Sequence, residues 1–342
     1  MNLTAQIKLL LTEEQEELLL STMKEYISSI NDLVGYFLGQ GKILKMSTKD
    51  FRANLPSALK NQVLKDAKSV YRKMKKTKTQ HVLKKKQAIW NNQNYRIKKD
   101  KIVFPVWNNK STQLSVKAEI PQDLLSVLSV AKLGTLRITK RGNKYIAQIA
   151  YEQPGPITVI QPVTMGIDLG IKCPAVAVTS EGKVKFFGNG REAKFVRRKH
   201  KSRRKKLQKK KKLKAVRKLS NKEQRWMKNK DHEISRQIVN YAIKKHIGTI
   251  KLECLDGIRS TARTSRKNNY SLHAWSFYRL TQYIEYKANL AGIRVVYVDP
   301  RYTSQTCPNC GKRNHAKDRV YACSCGYHSH RDLVGARNIL VA

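Results

Sequence analysis

The chain has 342 residues, 40% of them hydrophobic, which suffices for two or three domains with buried cores and excludes a disordered chain. Its 70 Lys and Arg face only 24 Asp and Glu, a formal charge of +46. A compact body so charged repels itself unless a polyanion neutralises it, and nucleic acid is the expected polyanion. An anionic membrane surface fits less well, because no amphipathic basic helix shows a clear lipid face.

No apolar run reaches the roughly 18 residues that a membrane-spanning helix needs. Met1 to Leu11 lacks the basic start and the small-residue cleavage site of a signal peptide. The protein is therefore expected inside the cell, in the cytoplasm and on the nucleoid when bound to DNA.

Residues 3 to 11 read as a strand. Thr12 then reads as a helix N-cap, with Gln15 at the capping-box position and Glu13 and Glu14 at the positive helix end. Leu19, Met23, Tyr26, Ile30, Leu33 and Phe37 recur at helical spacing, one apolar face of a long helix ending near Gly39. A second helix follows Pro56, with Leu59, Val63, Val70 and Met74 on one face and lysines, among them Lys75 and Lys76, crowding its far end. Both stripes are read as core packing. From Gln87 to Gln153 the pattern is that of strands: a turn at Asn91 to Asn94, β-favouring runs at 101–106 and 114–120, and a hairpin of 133–139 with 145–151 across Arg141-Gly-Asn-Lys144. A strand, a helical insertion (12–86) and further strands predict a small β-barrel made of 1–11 and 87–156. Pro154-Gly-Pro156 reads as a linker.

A second domain is expected over 160–342. Met165-Gly-Ile-Asp-Leu-Gly170 is an apolar strand carrying one acid, and runs at 174–178 and 184–188 supply two more strands. Lys194 to Lys230 is densely basic, with Glu223 as its only acid. The candidate nucleic-acid contacts are Arg197, Arg198, Arg203, Arg204, Lys205 and Lys206 here, with Lys75 and Lys76 in the first domain. Trp226 and Tyr241 read as core residues, with stacking on bases as the alternative. The helix continues through Asp231 to Lys245. A strand follows at 249–255, then a polar loop at 259–270 that could be a solvated loop or a lid. A helix from His273 to Ala291, a strand at 294–298, a cysteine cluster and a last helix from Asp332 complete the chain.

Three acids stand out. Asp168 interrupts an apolar strand between Gly166 and Gly170, Glu253 ends the strand from Thr249, and Asp332 opens the final helix. An acid in a central strand is costly to bury unless it is paired or binds a metal. Taken alone, Asp332 reads as a helix N-cap and Asp299, before Pro300, as a turn residue. The order of three strands, helix, strand, helix, strand, helix resembles an RNase H-like sheet, which brings such acids to one point. Three hard oxygen donors suit Mg²⁺ or Mn²⁺, and a pair of such ions hydrolyses phosphodiesters.

Four cysteines cluster as Cys307-x-x-Cys310 and Cys323-x-Cys325, the second pair one residue shorter than usual. They read as a tetrahedral structural Zn²⁺ site with no open position for chemistry. His328 or His330 is the weaker substitute ligand. Cys173 and Cys254 read as core thiols.

These motifs together resemble the TnpB family, relatives of the type V CRISPR effectors. The resemblance rests on Gly166-Ile-Asp-Leu-Gly170; Leu252-Glu253; Tyr286-Lys-Ala288; Pro300-Arg-Tyr-Thr-Ser-Gln-Thr-Cys-Pro-Asn-Cys310-Gly; and Arg331-Asp332 followed by Ala336, Asn338 and Ile339. It is close in the C-terminal half and one of layout only in the N-terminal half. It implies an α/β plus β-barrel fold: a wedge-type β-barrel carrying a helical recognition insertion, then an RNase H-like (RuvC) nuclease domain with a zinc ribbon (303–328) inserted. It implies a guide RNA derived from the transposon end, target DNA, and DNA cleavage beside a short flanking motif, with Asp168, Glu253 and Asp332 as the metal-binding acids. No longer family tail is expected after Ala342. A nuclease-dead RNA-guided repressor should lack one of the acids. A compact type V effector would share the chemistry and differ in the source of its guide. A ribosomal zinc-ribbon protein would not need Asp168 and Glu253, and a strand-transfer transposase is chemically close but is not what the motifs resemble.

Overall fold

The structure, a computed structural model, describes residues 2–155, 161–257, 272–273, 275–316 and 318–342, apart from the side chain of Ser220. The chain divides into two units, Met1–Pro154 and Gly155–Ala342.

The first unit begins with β1 (Asn2–Leu10), whose Ala5, Ile7 and Leu9 alternate inward. The helix α1 (Glu13–Gly39) is opened by the expected capping box, in which the Thr12 side chain accepts from the Gln15 amide and the Gln15 side chain accepts from the Thr12 amide. All six residues of its predicted stripe are buried. The helix α2 (Ser57–Thr77) packs on it through Leu59, Val63 and Met74, and the Tyr26 hydroxyl donates to Asp66 at 2.7 Å between them.

Six strands follow: β2 (Gln87–Trp90), β3 (Arg96–Lys98), β4 (Lys101–Asn108), β5 (Lys110–Glu119), β6 (Lys132–Arg141) and β7 (Lys144–Glu152). They form a seven-stranded antiparallel sheet in the order β2-β6-β7-β1-β5-β4-β3. The sheet curls strongly. Trp90 on its first strand donates its indole N–H to the Pro105 carbonyl on its sixth, at 2.9 Å, and packs at a tilt of 52° against Phe104. The β6–β7 turn is the expected tight hairpin, with Gly142 at a φ of +62°.

One part of the all-strand reading is wrong. Gln122–Val130 forms a helix, α3, between β5 and β6. Pro121 precedes it, Asp123 sits in its first turn and Leu128 is buried, so start signals that favour a helix outweigh the β-branched residues around them.

The second unit is built on β8 (Val163–Leu169), β9 (Ala175–Thr179), β10 (Val184–Phe187), β11 (Ile247–Glu253) and β12 (Arg294–Val298). Their order is β10-β9-β8-β11-β12, the first three antiparallel and β11 and β12 parallel to β8. The basic stretch folds as two helices, α4 (Gly190–Lys209) and α5 (Leu213–Lys244), broken at Lys211, whose φ is +53°. The helix α6 (Phe277–Leu290) begins four residues later than the sequence pattern suggests. A small hairpin of β13 (Val320–Ala322) and β14 (His328–His330) leads into α7 (Arg331–Val341).

The helix α7 lies directly on β8, and glycine makes this possible. A Cβ on Gly166 would come within 2.5 Å of the Ala336 carbonyl oxygen and 2.6 Å of the Leu340 nitrogen. The buried core of the unit runs from Met165 and Ile167 through Ile238 and Ile250 to Leu252 and Ile284. The polar loop at 259–270, read as a solvated loop or a lid, lies outside the described residues, as does Pro156 of the linker.

Candidate active site and thiol cluster

β8 and β11 are parallel neighbours, with Ile167 opposite Leu252, so the next residue of each, Asp168 and Glu253, emerges at the same end of the sheet. The α7 helix crosses that end and brings Asp332 on its first turn. Its contact with Asp168 is close: a Cβ on Gly335 would stand 3.1 Å from the Asp168 Cγ. The structure therefore brings the three acids singled out in the sequence to one end of one sheet.

Each is held differently. Glu253 is buried and accepts from the Thr303 hydroxyl at 2.5 Å. Thr303 is fixed in turn by Asn338 of α7, whose side-chain amide donates to the Thr303 carbonyl at 2.6 Å and the Thr306 carbonyl at 2.7 Å. Asp332 is buried, and its two oxygens accept from Arg319 Nη1 at 2.5 and 2.7 Å. His330 caps α7, its Nδ1 accepting from the Asp332 amide at 3.3 Å. Burial, then the negative charges of Glu253 and Asp332, hold the Asp168 carboxyl well above the usual carboxylate range, against the nearby Arg331 and Arg319. Burial raises Glu253 as well, opposed by the Thr303 hydrogen bond.

Arg319, Thr303 and Asn338 have roles here that sequence spacing did not reveal. In the sequence, Thr303 and Asn338 stand out only as parts of a motif. Asp299, by contrast, is the turn residue expected: its side chain accepts from the Arg301 amide at 2.9 Å.

The four cysteines converge. Their Sγ atoms all lie within 4.8 Å of one another, with Cys307 to Cys325 at 3.7 Å and Cys310 to Cys323 at 3.5 Å. Among the described residues no other three His, Cys, Asp or Glu side chains come that close, so Asp168, Glu253 and Asp332 share one sheet end without all their oxygens lying within 4.8 Å of one another. The short Cys323-x-Cys325 pair closes without a histidine. Asn309 and Asn314 aim side-chain amides at the Cys325 and Cys323 sulfurs, at 3.6 and 3.1 Å. The Cys325 thiol is held down to about 6, first by the backbone amide of Tyr327 and next by Asn309. Such donors stabilise thiolates, the form that binds metal. The cluster packs on Tyr321 and on Val334 of α7, and Arg319, the partner of Asp332, comes from the same excursion of chain.

The basic candidates separate. Arg197 and Arg198 line a cavity beside α4 and α5. Arg204 is paired with Glu223 at 2.5 Å. Arg203, Lys205 and Lys206 lie in the following turns of α4, and Lys75 and Lys76 border a shallow groove at the end of α2 in the first unit. Tyr241 packs edge-on against Phe187, whereas Trp226 lines the cavity.

A model of the Cas12f1-like TNB domain matches residues 277–339, and the OrfB_IS605 model, described as "Probable transposase", matches residues 148–259. The CRISPR-associated endodeoxyribonuclease Cas12f1 of Sulfoacidibacillus thermotolerans is 32% identical over 220 residues, which are 59% of this chain and 51% of that protein. A TnpB-like protein of Methanocaldococcus jannaschii is 35% identical over 125 residues, 36% of this chain and 45% of that one. The chain thus spans about half the length of these curated relatives. Among solved structures, Cas12f1 in a complex with sgRNA and target DNA superposes with a TM-score of 0.70 at 16% identity, over 96% of this chain and 83% of that one. The mini-RNA-guided endonuclease Cas_phi3 follows at 0.51 and 12%, over 99% and 92%. The fold is accordingly the one seen in the Cas12f1 complex, and the chain is a homologue of the TnpB-like and Cas12f proteins whose motifs its own sequence resembles.

Proposed function

We propose that this chain is an RNA-guided endonuclease that hydrolyses DNA at Asp168, Glu253 and Asp332, beside a short flanking motif. The observation that carries the reading is the placing of three acids at one sheet end in a chain of charge +46 that holds so few acids. The curled sheet of the first unit is then the wedge-type barrel, α1 and α2 its recognition insertion, and 303–328 the zinc ribbon.

The donor set fits divalent cations. The carboxyl of Asp168 is strained by its burial and by two neighbouring acids, a strain that a bound cation relieves. Bound Mg²⁺ or Mn²⁺ would supply an activated water and stabilise the leaving oxygen. The chain's own residues set the stage. Asp168 comes from the rigid centre of the sheet, Thr303 fixes the rotamer of Glu253, and His330 and Arg319 fix Asp332. The thiols fit Zn²⁺: tetrahedral ligands at about 2.3 Å stand about 3.8 Å apart, close to the two sulfur separations of 3.5 and 3.7 Å.

A guide RNA from the transposon end and target DNA are the partners of this reading. The Cas12f1 alignment over 59% of the chain favours a second reading, a compact type V effector with a CRISPR-derived guide. Sequencing the RNA that co-purifies separates the two. Cleavage of a matched plasmid by wild type and by Asp168→Ala tests the chemistry common to both.

A further inference from the structure

The second unit contains a cavity of about 750 Å³ to which the nuclease reading assigns no occupant. That volume is in the range of small-ligand pockets. Its floor is apolar: Trp226, Met227 and Ile234 of α5, and Leu280 of α6. Lys194, Arg198 and Lys201, which also line it, stand at i, i+4 and i+7 on one face of α4. The acids of its wall are already neutralised. Asp231 is bound by Arg279 at 2.5 Å and Ser276 at 3.2 Å, and Lys230 spans Glu192 and Glu233 at 3.7 and 3.1 Å. The same Lys230 ammonium lies 5.6 Å from the Trp226 ring centre.

The cavity adjoins the carboxylate site. Gly170 lines it, and a Cβ on Gly170 would stand 3.8 Å from Asp332 Oδ2. An apolar, tryptophan-walled recess beside a cationic helix face matches one chemical form well: a flat aromatic base on a polyanionic backbone. Stacking accepts any base, and the cations hold phosphates outside the recess. A base still in a duplex cannot enter such a recess, because pairing and stacking on its neighbours hold it inside the helix.

We infer that the cavity receives one unpaired base of the DNA strand whose backbone lies at Asp168, Glu253 and Asp332, with Trp226 as the stacking residue. The inference rests on the nuclease reading for the identity of the strand. It gives the site a reason to act on single-stranded rather than paired DNA, and it makes Trp226 a positioning residue.

The test uses the full chain and single-stranded DNA oligonucleotides in which one thymine at a time is replaced by 5-iodouracil, which crosslinks under ultraviolet light to an aromatic ring stacked on it. Peptide mapping then locates the crosslink. The expected result is a crosslink at Trp226, kept in Trp226→Phe and lost in Trp226→Leu, with cleavage by the Leu variant slowed by about tenfold, within the range of one lost stacking contact. Crosslinks confined to other rings, such as Tyr278 or Tyr302, would overturn the inference. So would a Trp226 crosslink formed with an oligoribonucleotide in preference to DNA. Mapping on wild type suffices should the Leu variant fail to fold. Crosslinking needs no cutting, so the two readings fail separately: a Trp226 crosslink in a chain that never cuts removes the nuclease, and cutting with crosslinks elsewhere removes the pocket.

Discussion

Asp168 is buried beside two other acids, and its folded-state affinity for a proton is raised well above that of the unfolded chain. Between the ordinary carboxylate range and that raised value, the folded state binds more protons than the unfolded one, so stability falls as pH rises. Asp168→Asn is therefore expected to stabilise the metal-free chain, and more at pH 8 than at pH 4, while removing all cutting. Thermal melts at the two pH values check the first part. Lys287 has the opposite sign. It is buried, donates to the His232 carbonyl at 2.7 Å and to the Ser235 hydroxyl at 2.6 Å, and is lowered to about 8 by burial and then by Arg236. The unfolded chain holds that proton longer, so wild type should gain stability relative to Lys287→Met as pH rises from 8 to 10. Equal melting-temperature differences across that window would contradict the assignment. Arg319→Ala leaves the Asp332 carboxylate buried without its partner, a loss of about 3 kcal/mol for such pairs. Urea unfolding without and with Mg²⁺ should show that loss, and Mg²⁺ should restore more stability to the variant than to wild type.

At the scale of elements, the crossing of α7 over β8 sets the geometry of the acids. Gly335→Ala would push a methyl group to 3.1 Å from the Asp168 Cγ, so it should fold, with a cost of about 1–3 kcal/mol, and cut more slowly than wild type. Gly166→Ala meets backbone at 2.5 Å and should not fold at all. Much of this layer was legible in the sequence. The Thr12 and Gln15 box, the apolar stripe from Leu19 to Phe37, and the acid inside Gly166-Ile-Asp-Leu-Gly170 each follow from local spacing, which the chain displays directly. Helix α3 escapes the sequence pattern because it is only 9 residues long and lies between two strand-like runs, although Pro121 and Asp123 mark a helix start. Thr303 holds Glu253 across 50 positions, and Arg319 reaches Asp332 across a hairpin, so no local period could announce either contact. The cysteine pairs were readable by spacing, while the packing of their module on Val334 was not. Cys310→Ser should lower the Zn²⁺ content of the purified chain and slow cutting through Arg319 and α7, and added Mg²⁺ should not restore it. Metal analysis with a cleavage assay checks both.

At the scale of the whole molecule, the charge of +46 is the dominant fact. Many phosphate contacts release many counterions, so RNA affinity should fall with salt on a log–log slope steeper than about −5. Filter binding between 50 and 300 mM salt measures it, and a shallow slope would mean few phosphate contacts. The homology to TnpB-like and Cas12f proteins, the five-stranded sheet and the three acids all bear on one claim, that a guide directs this chain to cut DNA. The most direct measurement co-expresses the chain with candidate flanking RNA and assays the purified complex on a matched plasmid with Mg²⁺, beside Asp168→Ala. The account predicts cutting that requires the matched guide and disappears in the variant. Tight binding of RNA and target with no cutting by wild type, or cutting that persists in Asp168→Ala, would contradict it.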